Sequence, residues 1–256
     1  MVRVVEAMRE NLGEPLTLDD LASVAMFSKY HFSRMFQRQT GVSPGRFLSA
    51  LRLQQAKRLL VTTDWNVVDI SLRVGYRSVG TFSSRFSRSV GLSPTMYRRC
   101  GGHTPSPVGC RVVSRMEPGG GLVEGELRLP DDGDDERVVF VGLFPSRIPE
   151  GSPISCTVTS APGRYLLNVP AGTDGHILAF APGNPDGVEP MLGDEQSRRV
   201  ASTPVALPPG LGGRAHADLI LERPGPLTPP VLVAMPSLNG AAGLQQHQTL
   251  RLAVPA

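Results

Sequence analysis

The 256-residue sequence is poor in cysteine, nearly devoid of lysine and free of long apolar runs. Its three cysteines, Cys100, Cys110 and Cys156, are odd in number and form no CxxC pair, so no disulfide framework is expected, in keeping with a reducing cytosol. Cys100, His103 and Cys110 would offer only three zinc ligands, so no metal and no other cofactor is expected. No stretch approaches the ~20 apolar residues of a membrane span, and the chain begins directly with an amphipathic helix over Val2–Leu12 that carries acidic residues. A cytoplasmic protein without signal peptide or membrane partner is the expectation. No Ser/His/Asp set, carboxylate pair or Gly-rich phosphate loop is legible, and no enzymatic activity is expected. The two lysines against twenty-four arginines reflect GC-rich coding rather than a mechanism.

What the chain does have is a repeat. HFSRMFQRQTGVSPGRF, from His31 to Phe47, returns as TFSSRFSRSVGLSPTMY, from Thr81 to Tyr97. Phe32/Phe82, Ser33/Ser83, Phe36/Phe86, Arg38/Arg88, Gly41/Gly91, Ser43/Ser93, Pro44/Pro94 and Phe47/Tyr97 match at one offset, which marks a duplicated module. In each copy two phenylalanines four apart share one helical face, and a glycine follows as a C′ residue able to take positive φ. Ser43-Pro44 and Ser93-Pro94 then open a new helix, with serine as N-cap and proline in the first turn. Upstream, Thr17 with Asp20 and Asn66 with Asp69 have capping-box spacing and start a short helix ahead of each copy.

That short helix, a turn and the aromatic-bearing helix give helix-turn-helix spacing, with the second turn one residue longer. Between the copies, Phe47, Leu48, Leu51, Ala56, Leu59 and Leu60 recur at three-to-four spacing, so Pro44 to about Val61 is expected to be one connecting helix. Eighteen such residues span ~27 Å, enough with the module bodies to set the two second helices ~34 Å apart, one turn of B-DNA.

Charge divides the chain. Residues 1–100 hold fifteen Lys and Arg against seven Asp and Glu, a net of +8. Residues 101–256 hold eleven against sixteen, a net of −5, and the two sum to the +3 of the whole chain. A basic half beside an acidic one suits a nucleic-acid reader fused to something else, because phosphate neutralisation supplies most non-specific affinity.

These residues resemble the DNA-binding domain of the AraC/XylS family of bacterial transcription regulators over roughly the first hundred positions. The resemblance rests on LDDLA at 18–22, F-S-R-x-F at 32–36, G-V-S-P at 41–44 and R-L-x-x-A-x-x-L-L at 52–60. It continues through D-I at 69–70, G-Y-x-S at 75–78, F-x-x-x-F at 82–86 and G-L-S-P-x-x-Y-R-R at 91–99. It implies a sequence-specific transcription regulator that inserts two recognition helices into successive major grooves of promoter DNA and works with RNA polymerase.

If Phe32, Met35 and Phe36 face the core, Tyr30, Ser33, Arg34 and Gln37 point outward toward bases. Arg34 is the expected bidentate reader of guanine. On the second helix the outward set is Gly80, Ser83, Ser84 and Ser87, a small surface with no long donor; relatives commonly carry arginine where Ser84 stands. Arg85 lies one step round, at the place equivalent to Met35. That helix is expected to read shape and phosphates, leaving specificity concentrated in the first half-site. Lys29, Arg38, Arg77 and Arg88 are the expected phosphate contacts. Arg46, Arg52, Arg58, Arg73, Arg98 and Arg99 are expected to be solvated or to tie helices together by ion pairs.

After Cys100 the composition changes. Three of the 24 prolines and six of the 28 glycines lie in the first hundred residues. Residues 101–121 are expected to be a flexible linker, and residues 122–256 an all-β sandwich-like domain, so the fold class is an all-α double helix-turn-helix domain followed by a β-sandwich-like domain. Its expected strands are LVEGELRL, RVVFVGLF, ISCTVTS, RYLLNV, HILAFA, RVASTPVAL, ADLILE and VLVAM, separated by Pro/Gly/Asp turns. GRYLLNVPAGTDGHILAFA at 163–181 resembles carboxypeptidase-regulatory-like or transthyretin-like sandwiches, which implies a fold only. The domain is expected to sense a small-molecule effector or to mediate assembly. The alternative is an architectural DNA binder or partner-binding scaffold without effector control. The effector site is unknown, since Tyr165, His176, Phe180 and Glu189 suit core or loop positions better than a pocket. The acidic run Asp131–Glu136 lacks calcium-loop spacing and is expected to be a solvated turn. From Pro224 onward a trailing strand or ordered loop is expected.

Overall fold

The computed structural model describes residues 1–104, 120–130, 137–183, 198–208 and 212–235. Seven helices come first: α1 (Val2–Glu10), α2 (Leu18–Val24), α3 (Lys29–Thr40), α4 (Pro44–Thr62), α5 (Val67–Arg73), α6 (Val79–Val90) and α7 (Pro94–Arg99). None among the described residues is long and apolar enough to cross a membrane.

Local chemistry sets the helix ends. The Thr17 hydroxyl accepts from the Asp20 N–H while the Asp20 carboxylate accepts from the Thr17 N–H, the reciprocal capping box that the spacing predicts. Asn66 accepts from the Asp69 N–H at 2.8 Å and so starts α5. Gly41 and Gly91 end α3 and α6 at φ 75° and 88°, a left-handed conformation that costs glycine little. Ser93 caps α7 through the Met96 N–H at 3.2 Å. Ser43 departs from the expectation: it holds the N-cap backbone conformation, yet its side chain accepts no capping hydrogen bond, and Pro44 at the first position carries the start of α4.

The duplicated aromatics build the same ring ladder twice. Phe32, Phe36 and Phe47 meet edge to face at 5.6 and 5.4 Å, and Phe82, Phe86 and Tyr97 repeat the spacing at 5.6 and 5.6 Å, with the Phe82–Phe86 pair tilted and the Phe86–Tyr97 pair edge to face. All six are fully buried. Each ring pair contributes roughly 0.5–1.5 kcal/mol beyond its area burial, so the sequence repeat is a repeat of packing.

The carboxy-terminal region holds two four-stranded sheets. In the first, β1 (Gly121–Arg128) pairs antiparallel with β4 (Gly163–Val169) and parallel with two short strands, β7 (Arg214–His216) and β8 (Leu219–Ile220). The second runs β3 (Ser155–Ala161), β2 (Arg137–Phe144), β5 (Asp174–Ala181), β6 (Arg199–Ala206), antiparallel throughout. Val123, Leu127, Tyr165 and Leu167 from one sheet meet Val139, Val141, Leu143, Ile177 and Ala179 from the other in a single core, which makes a sandwich. The VPAG turn carries the chain from one sheet to the other between β4 and β5.

The second sheet is covered on both faces. Phe140, Phe144, Leu178 and Phe180 point away from the sandwich core and pack under Val231, Val233 and Met235. Double coverage explains why β2 and β5 read as unbroken apolar runs while β1 alternates. VLVAM at 231–235, expected as a strand, is a buried strap with no ladder partner among the described residues; its apolar side chains cover the sheet face.

The cysteines correct another expectation. Cys156, buried on β3, is disulfide-bonded, and Cys100 keeps a free thiol. Sequence spacing without a CxxC does not forbid a pair that the fold brings together, and the cysteine ground for a reducing compartment falls away. Among the described residues no three His, Cys, Asp or Glu side chains converge as metal ligands. Cys110, most of the linker (105–119), Asp131–Glu136 and Glu189 lie outside the described residues, as does the chain after Met235.

Candidate nucleic-acid interface

Each module places its second helix across a short first helix. In the first, the turn is closed by the Phe27 N–H donating to the Ala22 carbonyl at 3.0 Å, with Met26 at φ 55°. In the second, the Tyr76 N–H donates to the Ser71 carbonyl at 2.9 Å, with Gly75 at φ 84°. Those bonds are offset by 49 positions, whereas the following N-caps, Ser28 and Ser78, are offset by 50, so the extra residue sits in the second turn.

With Phe32 and Phe36 buried, α3 turns Tyr30, Arg34 and Gln37 fully outward, while Ser33 and Met35 are half-buried at the flanks. The Arg34 guanidinium lies 5.5 Å from the Tyr30 ring centroid, a stacked contact that holds the longest donor of this face upright. Lys29 is exposed and pairs with Asp19 of α2 at 2.9 Å. Both partners are solvated, so that pair is weak and can exchange for another anion.

The second face is smaller. Gly80 and Ser84 are exposed, Ser83 and Ser87 half-buried, and no side chain longer than serine stands among them. Arg85 is half-buried, and its Nε is enclosed without an acceptor. Arg38, Arg77 and Arg88 are exposed beside these faces.

Two arginines outside the expected contact set turn out to be braces. Arg52 Nε donates to the Leu12 carbonyl at 2.9 Å and its Nη2 to Glu14, tying the α1–α2 connection to α4; burial holds its pKa below the ordinary value. Arg98 donates to the carbonyls of Leu60, Thr63 and Trp65 and so caps the end of α4. Both tie helices together, but through carbonyl oxygens rather than carboxylates, a partner type that sequence spacing does not reveal.

The β region docks on the helical region at a seam. Ile148, Leu232 and Ala234 belong to the same buried cluster as the helical core. Backbone bonds cross the seam from Gly151 N–H to Ser89 carbonyl (2.7 Å), from Ala234 N–H to Val90 carbonyl (2.9 Å) and from Thr104 N–H to Met235 carbonyl (3.0 Å). Glu150, between β2 and β3, accepts from Arg46 of α4 at 2.8 Å and from the Ser89 hydroxyl of α6 at 2.8 Å. A side chain on Gly41 would collide with Arg147 of the same loop. One loop thus grips an element of each module. Nothing in the first hundred residues announces this seam; the apolar VLVAM run was its visible signal.

The helix-turn-helix domain family matches residues 21–100. Among curated proteins, an uncharacterized HTH-type transcriptional regulator of Haemophilus influenzae is 43% identical over 82 residues, 32% of this chain and 28% of that protein. The HTH-type transcriptional activator AarP of Providencia stuartii is 35% identical over 88 residues, 34% of this chain and 65% of that protein. Among solved structures, the DNA-binding domain of AdpA in complex with a target DNA is 38% identical, with 38% of this chain and 86% of that one covered at a TM-score of 0.37. The match thus spans less than two thirds of these curated relatives' length and lies in the helical third of this chain. With its duplicated helix-turn-helix modules, the amino-terminal region of the chain is an AraC-type helix-turn-helix DNA-binding domain, similar to those of AraC/XylS-family regulators.

Proposed function

We propose that this chain is a sequence-specific DNA-binding transcription regulator, with residues 1–100 as the reading domain and the β region, 122–256, as the part that controls or assembles it. The observation that carries it is the pair of equivalent helices, α3 and α6, each standing on its own aromatic ladder and each turning a solvent-exposed face outward from a region of net charge +8. The nineteen-residue α4 between them spans about 28 Å, which suits two modules addressing successive major grooves. Such a protein works where promoter DNA and RNA polymerase are, in the bacterial cytoplasm.

In this mechanism Arg34 reads guanine in the first half-site, with Tyr30, Ser33 and Gln37 beside it, while Lys29, Arg38, Arg77 and Arg88 meet phosphates. Gly80, Ser83, Ser84 and Ser87 let α6 approach closely and read shape more than bases. The seam at Glu150 makes the β region a brace that fixes one module against the other.

The test is binding-site selection on the full chain, followed by Arg34→Ala. The variant should lose about 1–3 kcal/mol on the selected site and relax base preference at one position of the first half-site. A uniform, salt-dependent loss on every duplex would make Arg34 a phosphate contact. Binding spread along DNA without a defined footprint would favour an architectural role instead.

A further inference from the structure

The β region carries a guanidinium onto the outward stripe of the first reading helix. Positions 34, 38 and 41 follow one another at i, i+4 and i+7, so Arg34, Arg38 and Gly41 share one face at α3 and its C-cap, and all three are exposed. Gly41 has no side chain, and Arg147 of the β2–β3 loop fills the space. A Cβ built on Gly41 would strike Arg147 Cδ and lie 2.9 Å from Nη1 and 3.2 Å from Nε, so the end of that side chain rests along the glycine. Arg147 is half-buried, yet among the described residues no carboxylate pairs with it and no carbonyl accepts from it.

The loop that presents Arg147 is fixed on both sides. Ile148 is buried in the helical core cluster, and the Pro149 carbonyl accepts from the Leu232 and Val233 N–H groups at 3.0 Å. The Gly151 N–H donates to the Ser89 carbonyl, and Glu150, the carboxylate of this loop, is engaged by Arg46 and Ser89. A guanidinium on so fixed a loop loses little freedom when it meets an anion.

We propose that Arg147 is a DNA-phosphate contact supplied by the β region, extending the stripe that Arg34 begins in the first half-site. Seven residues of helix place Gly41 about 10 Å beyond Arg34, and the major groove is about 12 Å wide. A helix whose Arg34 meets a base edge therefore brings its Gly41 end to the phosphate wall. A guanidinium matches phosphate with paired hydrogen bonds and stays charged at every physiological pH. Without DNA, the partial negative charge at the end of α3 holds Arg147 in place. The inference rests on the DNA-binding reading of residues 1–100 and goes beyond it, because the β region then takes part in binding as well as bracing.

The experiment titrates the full chain with the duplex obtained by site selection and with a random duplex of equal length, by fluorescence anisotropy over a range of salt. Each phosphate contact steepens the slope of log K against log salt by about 0.9, so one contact is worth about eightfold at 0.1 M salt relative to 1 M. Arg147→Met keeps the aliphatic stem and loses the fork. It should bind both duplexes about eightfold more weakly near 0.1 M salt, with a slope shallower by about 0.9 and unchanged base preference in the first half-site. Arg147→Lys should keep the wild-type slope, and the thermal midpoint of each variant without DNA serves as the folding control. A side chain that serves only the end of α3 would lower the midpoint of Arg147→Met and leave its slope alone, which would overturn the proposal. So would a loss confined to one base pair, or a slope in Arg147→Lys as shallow as in Arg147→Met. A wild-type chain that binds neither duplex removes the reading domain and this assignment with it, whereas normal wild-type binding beside an unaltered Arg147→Met removes Arg147 alone.

Discussion

Removing the Glu150 carboxylate tests the seam most directly. Glu150 accepts from Arg46 of the first module's side and from Ser89 of the second's. The Arg46 pair is partly solvated, with side chains 44% and 28% exposed, and counts for about 0.2–1 kcal/mol. The Ser89 bond differs, because Ser89 is 1% exposed and its hydroxyl would be left buried after truncation; a hydrogen bond to a charged group contributes about 1.5–3 kcal/mol. Glu150 itself is partly solvated, which places the total for Glu150→Ala toward the low end, about 2 kcal/mol. Gln has one oxygen where Glu150 uses two, so Glu150→Gln should recover about half of the loss. Urea denaturation of both variants, with an Arg46→Ala cycle to isolate the ion pair, gives these values. DNA binding supplies the second readout: with the brace loosened, affinity for a duplex carrying both half-sites should fall several-fold, while affinity for the first half-site alone should hold. A loss below about 0.5 kcal/mol together with unchanged two-site affinity would refute the brace.

Two further outcomes follow from the β region. A Cβ on Gly142 would lie 2.9 Å from ring atoms of both Phe140 and Phe144, which are buried beneath the strap, so Gly142→Ala should cost about 1–3 kcal/mol; an unchanged urea midpoint would show that the strap yields. His176 titrates below its ordinary value of 6.5, first because burial disfavours its cation and then because Arg147 repels it. The folded state therefore resists a proton that the unfolded state accepts, and this contribution to stability, complete above pH 6.5, is lost as the pH falls below it. Thermal midpoints measured across that range should decline less steeply in His176→Gln, and parallel curves would assign the acid sensitivity elsewhere.

The relation between sequence and structure differs along the chain. In the helical region, capping and ring packing are local: Thr17 and Asp20 lie three residues apart, Phe32 and Phe36 four, and the second copy repeats the pattern with one insertion in its turn. Such contacts leave a periodic trace, so the helices, their caps and the outward faces bearing Tyr30, Arg34 and Gln37 were legible. The failed hydroxyl cap at Ser43 marks the limit, since hydroxyl orientation is set by what surrounds it. In the β region the strands were legible from apolar runs and turn residues, apart from the three-residue β7 and the strap at 231–235, whose partners are distant in sequence.

By itself, then, the amino-acid order determined the duplicated modules, their polarity and the division into a basic helical and an acidic β half, because each depends on neighbours within a turn or two. Tertiary structure alone decided that Glu150 spans from Arg46 to Ser89, that Ile148, Leu232 and Ala234 complete the helical core, that Cys156 is oxidised and that Arg147 rests on Gly41. Those groups lie tens to hundreds of positions apart, and contacts closed over such loops carry no period in the chain; only the packing of one region on the other brings them within reach.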